Sequence, residues 1–417
     1  MKRPSDIIVV GGGAAGLMAA GAAASCGAAV ALLERNPRPG RKLGITGKGR
    51  CNLTNDCGVQ QVLENTPTNG KFLYSALGAF PPSAVMEFFR AQGVELKTER
   101  GNRVFPVSDR AGDVVDALEG YCRRGGVEVI RARARRVLLR DGRAAGVLTD
   151  AGEFYAPRVI LCTGGASYPA TGSTGDGYAM ASELGHTIVP PKPSLVPLES
   201  PDRYCGRMQG FAPRNVRLKV LGGGKVVYED FGEMLFTHFG VSGPLILSAS
   251  AHMRDFGREK YSLSIDFKPA LDEKKLDARI LRDFEKYRNR DIANALTDLE
   301  ARSMIPVLVE LSGIPAETRA NAVTREQRRA LLELLKAFPV AISGPRPIAE
   351  AVVTSGGVDV REIRPKTMES RLAPGVYFAG ELIDVDAYTG GFNLQIAWST
   401  ARAAALAACA AEGKGNG

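Results

Sequence analysis

The chain begins with a change of hydrophobic period. Ile7 to Val10 is an apolar run rich in β-branched side chains, Gly11, Gly12 and Gly13 follow at once, and an Ala-rich stretch runs from Ala14 to Ser25. That order predicts a buried strand, a tight turn and a helix. Gly27 stands where a helix ends in a left-handed residue, and Ala28 to Leu33 is a second apolar run of strand length, which completes a βαβ unit. Helical spacing recurs from Ser83 to Gln92, stopped by Gly93, and from Gly112 to Arg124, stopped by Gly125. Between Arg133 and Cys162, alternating segments are broken at Asp141-Gly142 and Asp150-Ala151-Gly152, which predicts a small antiparallel meander. It returns through Val159, Ile160 and Leu161 into Thr163-Gly164-Gly165.

Two stretches break these periods. Pro37 to Asn55 mixes Gly40, Gly44, Gly47 and Gly49 with Arg41, Lys42, Lys48 and Arg50 and shows no periodicity, so it reads as a long functional loop. Pro190, Pro191, Pro193, Pro197 and Pro201 form a cluster unsuited to the interior of a strand or helix, and place a domain boundary there. Beyond it, strand-length segments run to about Pro269. From Leu271 to Lys336 the pattern turns helical, with Leu276, Ile280, Leu281 and Phe284 on one face and Leu331, Leu332, Leu334 and Leu335 on a later helix. After Ser343-Gly344-Pro345 short strands return, among them Val376 to Ala379, and Gln395 to Ala410 reads as an Ala-rich terminal helix. The two ends of the chain therefore belong to one domain, residues 1–190 and 344–417, interrupted by a β piece over 191–269 and a helical piece over 270–343.

Composition narrows the class. With 417 residues, 45% hydrophobic and 24% charged, extended disorder is excluded and a sizeable core is required. The 54 Lys and Arg against 45 Asp and Glu leave a net charge of +9. The basic residues are scattered, and Arg131, Arg133, Arg135 and Arg136 lie on a strand-like stretch, so they read as a solvated face rather than a nucleic-acid groove. Seven cysteines without a CxxC pair and only three His give no zinc spacing and no metal site, and their scatter fits a reducing cytoplasm. The start, Met1 to Asp6, lacks the shape of a signal peptide, and no apolar run reaches the length of a membrane span. The expectation is a cytoplasmic protein with no membrane partner. No oligomeric state follows from the sequence.

Gly11-x-Gly13-x-x-Gly16 follows a strand and opens a helix at Ala14 and Ala15, and Glu34 ends the second strand next to Arg35. Each part has a physical job in dinucleotide binding. Gly11 permits the turn, Gly13 lets backbone approach a pyrophosphate at the helix N-terminus, Gly16 lets helix and strand pack, and Glu34 takes the adenosine ribose hydroxyls. An acid at this position disfavours a ribose phosphate and leaves FAD or NAD. The late strand leading into Gly380-Glu381 and then Asp384 and Asp386, with Gly391, Asn393, Leu394 and Gln395 opening the last helix, favours FAD. In that arrangement the acid takes the ribityl hydroxyls and the helix N-terminus faces the flavin.

Four separated stretches carry a family resemblance: Gly40 through Asn55, Thr163 through Gly177, Phe236-Thr237-His238-Phe239-Gly240-Val241-Ser242-Gly243-Pro244, and Gly380 through Gln395. Together they resemble the BaiN-type (YhiN-type) NAD(P)/FAD-dependent oxidoreductases, essentially end to end. The resemblance implies an α/β fold: a glutathione-reductase-like, Rossmann-type FAD domain interrupted by an insert made of a β-barrel and a small helical bundle. It also implies that Arg41, Lys42, Thr46, Arg50, Cys51 and Asn52 line the flavin, that Thr163, Gly164 and Gly165 lie beside the FAD backbone, and that Asp176 starts a helix near the same cofactor. The alternative for the Arg and Lys residues is that they bridge loop carbonyls and never meet the flavin.

Catalysis would then be the flavin's own, since no Ser/His/Asp order or carboxylate pair appears. Arg50 and His238 are the candidate catalytic side chains, His238 as a proton source or substrate anchor. The bland alternative is a His hydrogen-bonded inside the insert; His186 reads as structural and His252 as surface. Cys51 and Cys57 have the wrong spacing for the redox disulfide of related reductases and read as plain thiols. No second GxGxxG in a βαβ setting exists, so NAD(P)H, if it is the electron donor, visits transiently. The favoured reading is hydride transfer between flavin N5 and a small organic substrate held under the insert, with reduction of an activated C=C bond. An amine or alcohol oxidase, an FAD protein acting on RNA, and a flavin redox sensor stay open beside it.

Overall fold

The computed structural model describes residues 5–253 and 255–410. Met1 to Pro4, most of the start read for a leader, and residues 411–417 at the outer end of the 344–417 segment lie outside the described residues. The chain forms two compact units, Met1–Ser194 with Ile348–Gly417, and Leu195–Pro347.

The first unit is built on a five-stranded parallel sheet in the order Val376–Phe378, Arg158–Leu161, Ile7–Val10, Val30–Glu34, Glu128–Arg131. Register pairs Ile7 with both Arg158 and Val30, and Val159 with Val376. The inner strands are apolar except for Arg158 at the start of one and Glu34 at the end of another, because both faces are covered, as parallel sheets require. Alternate residues divide between two cores. Ile7, Val9, Leu32 and Ile160 pack with the first helix, Ala14–Ser25, and with the terminal helix, Phe392–Ala410. Ile8, Val10, Leu33, Val159 and Leu161 pack on the other side with Val137 and Val147 of the three-stranded meander, 134–155. The Ala-rich composition of the two helices lets them approach closely, and Trp398 fills the space beyond them, fully buried, its Nε1 donating to Leu53 O at 2.8 Å.

Three expectations change here. The stretch 37–55 is not wholly irregular. Arg41 starts a helix, Arg41–Gly49, which kinks at Thr46, Gly47 and Lys48, where the backbone leaves helical angles. The proline cluster does not end a unit at 190. Pro190, Pro191 and Pro193 belong to a strand, Ile188–Ser194, in a two-stranded sheet with Val353–Val358. A bulge between Val189 and Lys192 takes two of the prolines out of the ladder, and an isolated pair can tolerate a missing N–H on its outer side. The unit boundaries accordingly fall at Ser194/Leu195 and Pro347/Ile348, a few residues beyond 190 and 343.

The second unit holds two four-stranded sheets. One runs Lys225–Gly232, Val216–Gly222, Tyr261–Asp266, Phe338–Ile342; the other runs Leu235–Thr237, Gly240–Ser242, Leu198–Glu199, Gly344–Pro345. Helices Glu273–Lys286 and Arg325–Lys336 bury Leu276, Ile280, Phe284, Leu331, Leu332 and Leu335 in one core with the sheets. Leu281 points the other way and is exposed, so the apolar face of that helix is narrower than the sequence pattern suggested. The β segment also contains a helix, Pro244–Ser250, that strand-length patterning hid. No helix among the described residues is long and apolar enough to cross a membrane.

Candidate functional site

In an open parallel sheet, ligands bind beyond the carboxyl ends of the strands where the strand order reverses. Numbered in chain order, the five strands are Ile7–Val10, Val30–Glu34, Glu128–Arg131, Arg158–Leu161 and Val376–Phe378, and the order reverses at the first, with Val30–Glu34 to one side and Arg158–Leu161 to the other. The candidate residues follow that edge from strand to strand.

At the end of the second strand, Glu34 is buried. Its Oε2 accepts from Gly12 N at 2.6 Å, and its Oε1 accepts from Asn36 N at 2.7 Å and from Asn36 Nδ2 at 2.8 Å. The acid is thus stitched to the glycine turn. At the end of the first strand, a Cβ on Gly16 would overlap the Gly11 carbonyl oxygen, which is the close helix–strand approach the fingerprint requires. Gly13 differs: a Cβ there would meet nothing within 4 Å, so space stands open at the N-terminus of the first helix, which has no side-chain cap. At the end of the fourth strand, Thr163 Oγ1 is buried with no hydrogen-bond partner. An uncapped helix N-terminus facing open space, a buried acid beside it and an orphaned hydroxyl one strand further on fit a dinucleotide with its pyrophosphate on the helix.

At the fifth strand, Gly380 N donates to Thr400 Oγ1 at 3.0 Å, and Glu381 meets Lys42, Nζ to Oε2 at 2.6 Å. Asp176 opens the helix Asp176–Glu183 between two guanidinium groups, Arg133 Nε at 3.0 Å and Arg35 Nη1 at 3.1 Å. Burial pushes its carboxyl up, but the Arg133 and Thr174 hydrogen bonds and the Arg133 and Arg35 charges outweigh that and hold it below the usual carboxylate range. Arg35 and Asp176 are therefore engaged with each other, and Arg133, which sequence reading placed on a solvated face, belongs to this cluster.

Other candidates sit elsewhere. Arg50 stacks on the Phe105 ring, 4.2 Å from its centroid, and pairs with Glu99 and Asp109; Lys97 joins them at 2.7 Å from Asp109. The guanidinium bridges acids rather than loop carbonyls. Arg41 reaches Asn36 Oδ1 at 3.1 Å, and Thr46 Oγ1 donates to Leu43 O at 2.7 Å. Cys51 is fully buried at a positive φ of 60°, and burial pushes its thiol up to about 12; that of Cys57 is pushed to about 11, and both are free. A thiol of that kind is inert. The Asn52 amide, with its oxygen toward Gly391 N and its nitrogen toward Thr54 O, makes two bonds of 3.0 Å that tie the kinked segment to the start of the terminal helix.

At the start of the terminal helix the side chains turn inward. Asn393 closes a loop by accepting from Ala387 N at 2.9 Å and donating to Ala387 O at 2.7 Å; Leu394 packs against the core. Gln395 is fully buried, accepting from Thr54 Oγ1 at 2.5 Å and donating to Phe80 O and Ser399 Oγ at 2.9 Å. Every polar atom of that amide faces inward. Asp386 is likewise buried, accepting from Ser194 and Ser355 hydroxyls at 2.8 Å. In the second unit, His238, exposed, and Phe239, half-buried, form the two-residue turn between Leu235–Thr237 and Gly240–Ser242, their rings edge to face at 5.0 Å. His252 stacks on Tyr228 at 4.4 Å. His186 is buried between Glu362 and Ser370, as its structural reading implied.

Sequence reading missed Asn36, Ser167 and Thr354. Asn36 and Ser167 lie inside or beside stretches already singled out. Thr354 carries no local signal, because its relevance comes from a strand far along the chain.

Comparison with known proteins agrees with this arrangement. The family model described as HI0933-like protein Rossmann domain matches residues 5–407. The chain is 33% identical over 383 residues to a 3-dehydro-bile acid delta(4,6)-reductase of Clostridium scindens, covering 91% of this chain and 93% of that one. It is 30% identical over 406 residues to a ribosomal RNA dihydrouridine synthase of Escherichia coli, covering 96% and 97%. Among solved structures, a 3-ketosteroid delta1-dehydrogenase from Sterolibacterium denitrificans shares the fold, with a TM-score of 0.55 at 13% identity over 98% of this chain and 100% of that one.

Proposed function

Because the chain belongs to the HI0933-like protein Rossmann domain family and is an FAD-dependent oxidoreductase, we propose that it reduces a carbon–carbon double bond conjugated to a carbonyl in a small organic substrate, with NAD(P)H as the electron donor. One observation carries the reading: two relatives with unrelated substrates share one outcome. A delta(4,6)-reductase of a 3-dehydro-bile acid and a dihydrouridine synthase are each named for saturating a ring C=C bond that is conjugated with a carbonyl. Such a bond is polarised, so its far carbon accepts hydride and its near carbon then takes a proton.

When bound, FAD supplies the hydride carrier at N5. The chain's own residues bind and orient it. We assign the pyrophosphate to the backbone N–H groups after Gly13, the adenosine ribose to Glu34, and the ribityl chain to Glu381, with Thr163 Oγ1 beside it. Arg41, Thr46 and Asn52 act by fixing the kinked segment Arg41–Gly49. Asp176 orders the neighbouring helix through Arg35 and Arg133. Arg50, with its charge spent on Glu99 and Asp109, we read as holding the loop rather than touching substrate. The inserted unit we read as a β-barrel-like layer with a small helical bundle.

A second reading keeps the chemistry and changes the substrate to a uridine within RNA. The Escherichia coli relative and the net charge of +9 favour it. One experiment separates the readings. FAD-loaded protein is reduced anaerobically and mixed with a conjugated cyclic enone, with a uridine-containing ribosomal RNA fragment, or with air. Reoxidation of the flavin band by the enone, with a product heavier by two hydrogen atoms, is the expected result. Reoxidation by RNA alone would move the assignment to the second reading, and reoxidation by air alone to an oxidase.

A further inference from the structure

Three side chains, braced by Thr354 from a fourth stretch of the first unit, close a ring beyond the carboxyl ends of the strands Arg158–Leu161 and Val376–Phe378. Lys42 Nζ donates to Glu381 Oε2 and to Ser167 Oγ, both at 2.6 Å. Ser167 Oγ donates to Glu381 Oε1 at 3.0 Å, and Thr354 N donates to the same oxygen at 2.8 Å. Thr354 Oγ1 in turn accepts from Ala166 N at 2.9 Å and from Ser167 N at 3.2 Å. Ser167 and Thr354 are fully buried, whereas the Lys42 and Glu381 side chains each keep 20% of their surface exposed.

The proton inventory fixes the roles. An ammonium only donates, so the Ser167 hydroxyl must accept from Lys42 and spend its one proton on Glu381. The Thr354 hydroxyl grips the backbone of Ala166 and Ser167 and thereby sets where Ser167 Oγ stands. Lys42 has spent two of its three N–H bonds on the ring and retains one, on the partly exposed end of the group.

Position says what the ring serves. Glu34 marks the ribose end of the cradle on the second strand, the open space at Gly13 marks the pyrophosphate on the first, and the ring lies beyond them at the fourth and fifth strands, in the half left for the flavin.

We propose that Ser167 and Thr354 are positioning residues that hold the Lys42–Glu381 pair in the flavin half of the cradle, and that the retained N–H of Lys42 sets both the grip on FAD and the potential at which the flavin takes electrons. A positive group held beside a reduced, anionic flavin raises its potential. The inference rests on the FAD reading above.

The test uses the full chain with Ser167→Ala, Thr354→Val, Thr354→Ser and Lys42→Met, each checked for an unchanged far-ultraviolet spectrum. FAD affinity and the flavin midpoint potential are read. Ser167→Ala and Thr354→Val are expected to weaken FAD binding about ten-fold, as loss of a buried hydrogen-bond partner does, and to lower the potential. Thr354→Ser, which keeps the hydroxyl, should match the unmodified protein. Lys42→Met should lower the potential most. If Thr354→Val does not fold, Ser167→Ala and Lys42→Met decide. Unmodified protein that binds FAD, with affinity and potential unmoved in Ser167→Ala and Lys42→Met, would overturn the ring's role and leave the cofactor reading standing. Unmodified protein that takes up no FAD would overturn both.

Discussion

The glycines of the first turn differ in what stands where a side chain would begin, and that difference separates binding from folding. Gly13 has extended angles that any residue adopts, and its missing Cβ faces open space. Gly13→Ala should therefore keep the apo protein's melting temperature while losing FAD. Gly16→Ala drives a methyl into the Gly11 carbonyl and should cost stability with or without cofactor. A pair of melting curves, each with and without FAD, checks both. His186 gives a second prediction at this scale. Burial lowers its pKa, against the opposing pull of Glu362. Ser370 Oγ accepts from Leu372 N and Ala373 N, so its proton goes to His186 Nε2, and Nδ1–H faces Glu362. The folded chain thus favours the neutral ring. Stability is full above the unfolded value of about 6.5 and is lost as pH falls through that value toward the lowered one. A melting temperature followed downward from neutrality should fall, and fall less steeply in His186→Gln. The fingerprint residues were legible because their reasons are local; what Arg50 and Gln395 touch was not, because their partners come from distant segments.

Elements were predicted best where one period runs unbroken. The first strand and helix, the helices 82–91 and 111–124 and the meander were all visible as pattern. The helix Arg325–Lys336, whose start was not read from the sequence, begins at a sharp cap. Thr324 Oγ1 accepts from Gln327 N at 3.2 Å while Gln327 Oε1 accepts from Thr324 N at 3.0 Å, a reciprocal cap. Thr324→Ala should cost about 1 kcal/mol, measured as a shift in the denaturant midpoint without loss of FAD. Elsewhere local propensity was overridden. Proline reads as a break, yet Ile188–Ser194 pairs as a bulged strand because only part of its ladder needs N–H donors. Glycine reads as loop, yet Arg41–Ile45 winds as helix before the kink. Both exceptions involve a pairing or packing partner that periodicity does not contain.

For the whole molecule, the split of the first unit was legible from its two ends sharing one character, and the insert was legible from its own. The division of the insert's strands into two sheets was not, since Leu198–Glu199 and Gly344–Pro345 pair across nearly the full length of that unit. Net charge belongs to this scale too. If the scattered Lys and Arg merely solvate the surface, purified protein should show no excess absorbance in the nucleic-acid band. If it binds ribosomal RNA, the affinity should fall steeply and linearly on a log–log plot against salt.

The sheet also sets an order of events. The strand Arg158–Leu161 needs Val376–Phe378 as its neighbour, and the first helix shares its core with the terminal one. On a ribosome the amino-terminal half, with its glycine turn and Glu34 already made, must wait for the entire inserted unit to be translated, roughly ten seconds or more at ordinary rates. During that interval an apolar strand edge and an Ala-rich helix face are uncovered. The inserted unit, whose residues are contiguous and own their core, can fold in the meantime. Synthesis of this oxidoreductase is thus front-loaded with risk: the half that carries the cofactor fingerprint is the last to become a finished domain, and nascent chains stalled before residue 376 should be clients of chaperones and unable to retain FAD.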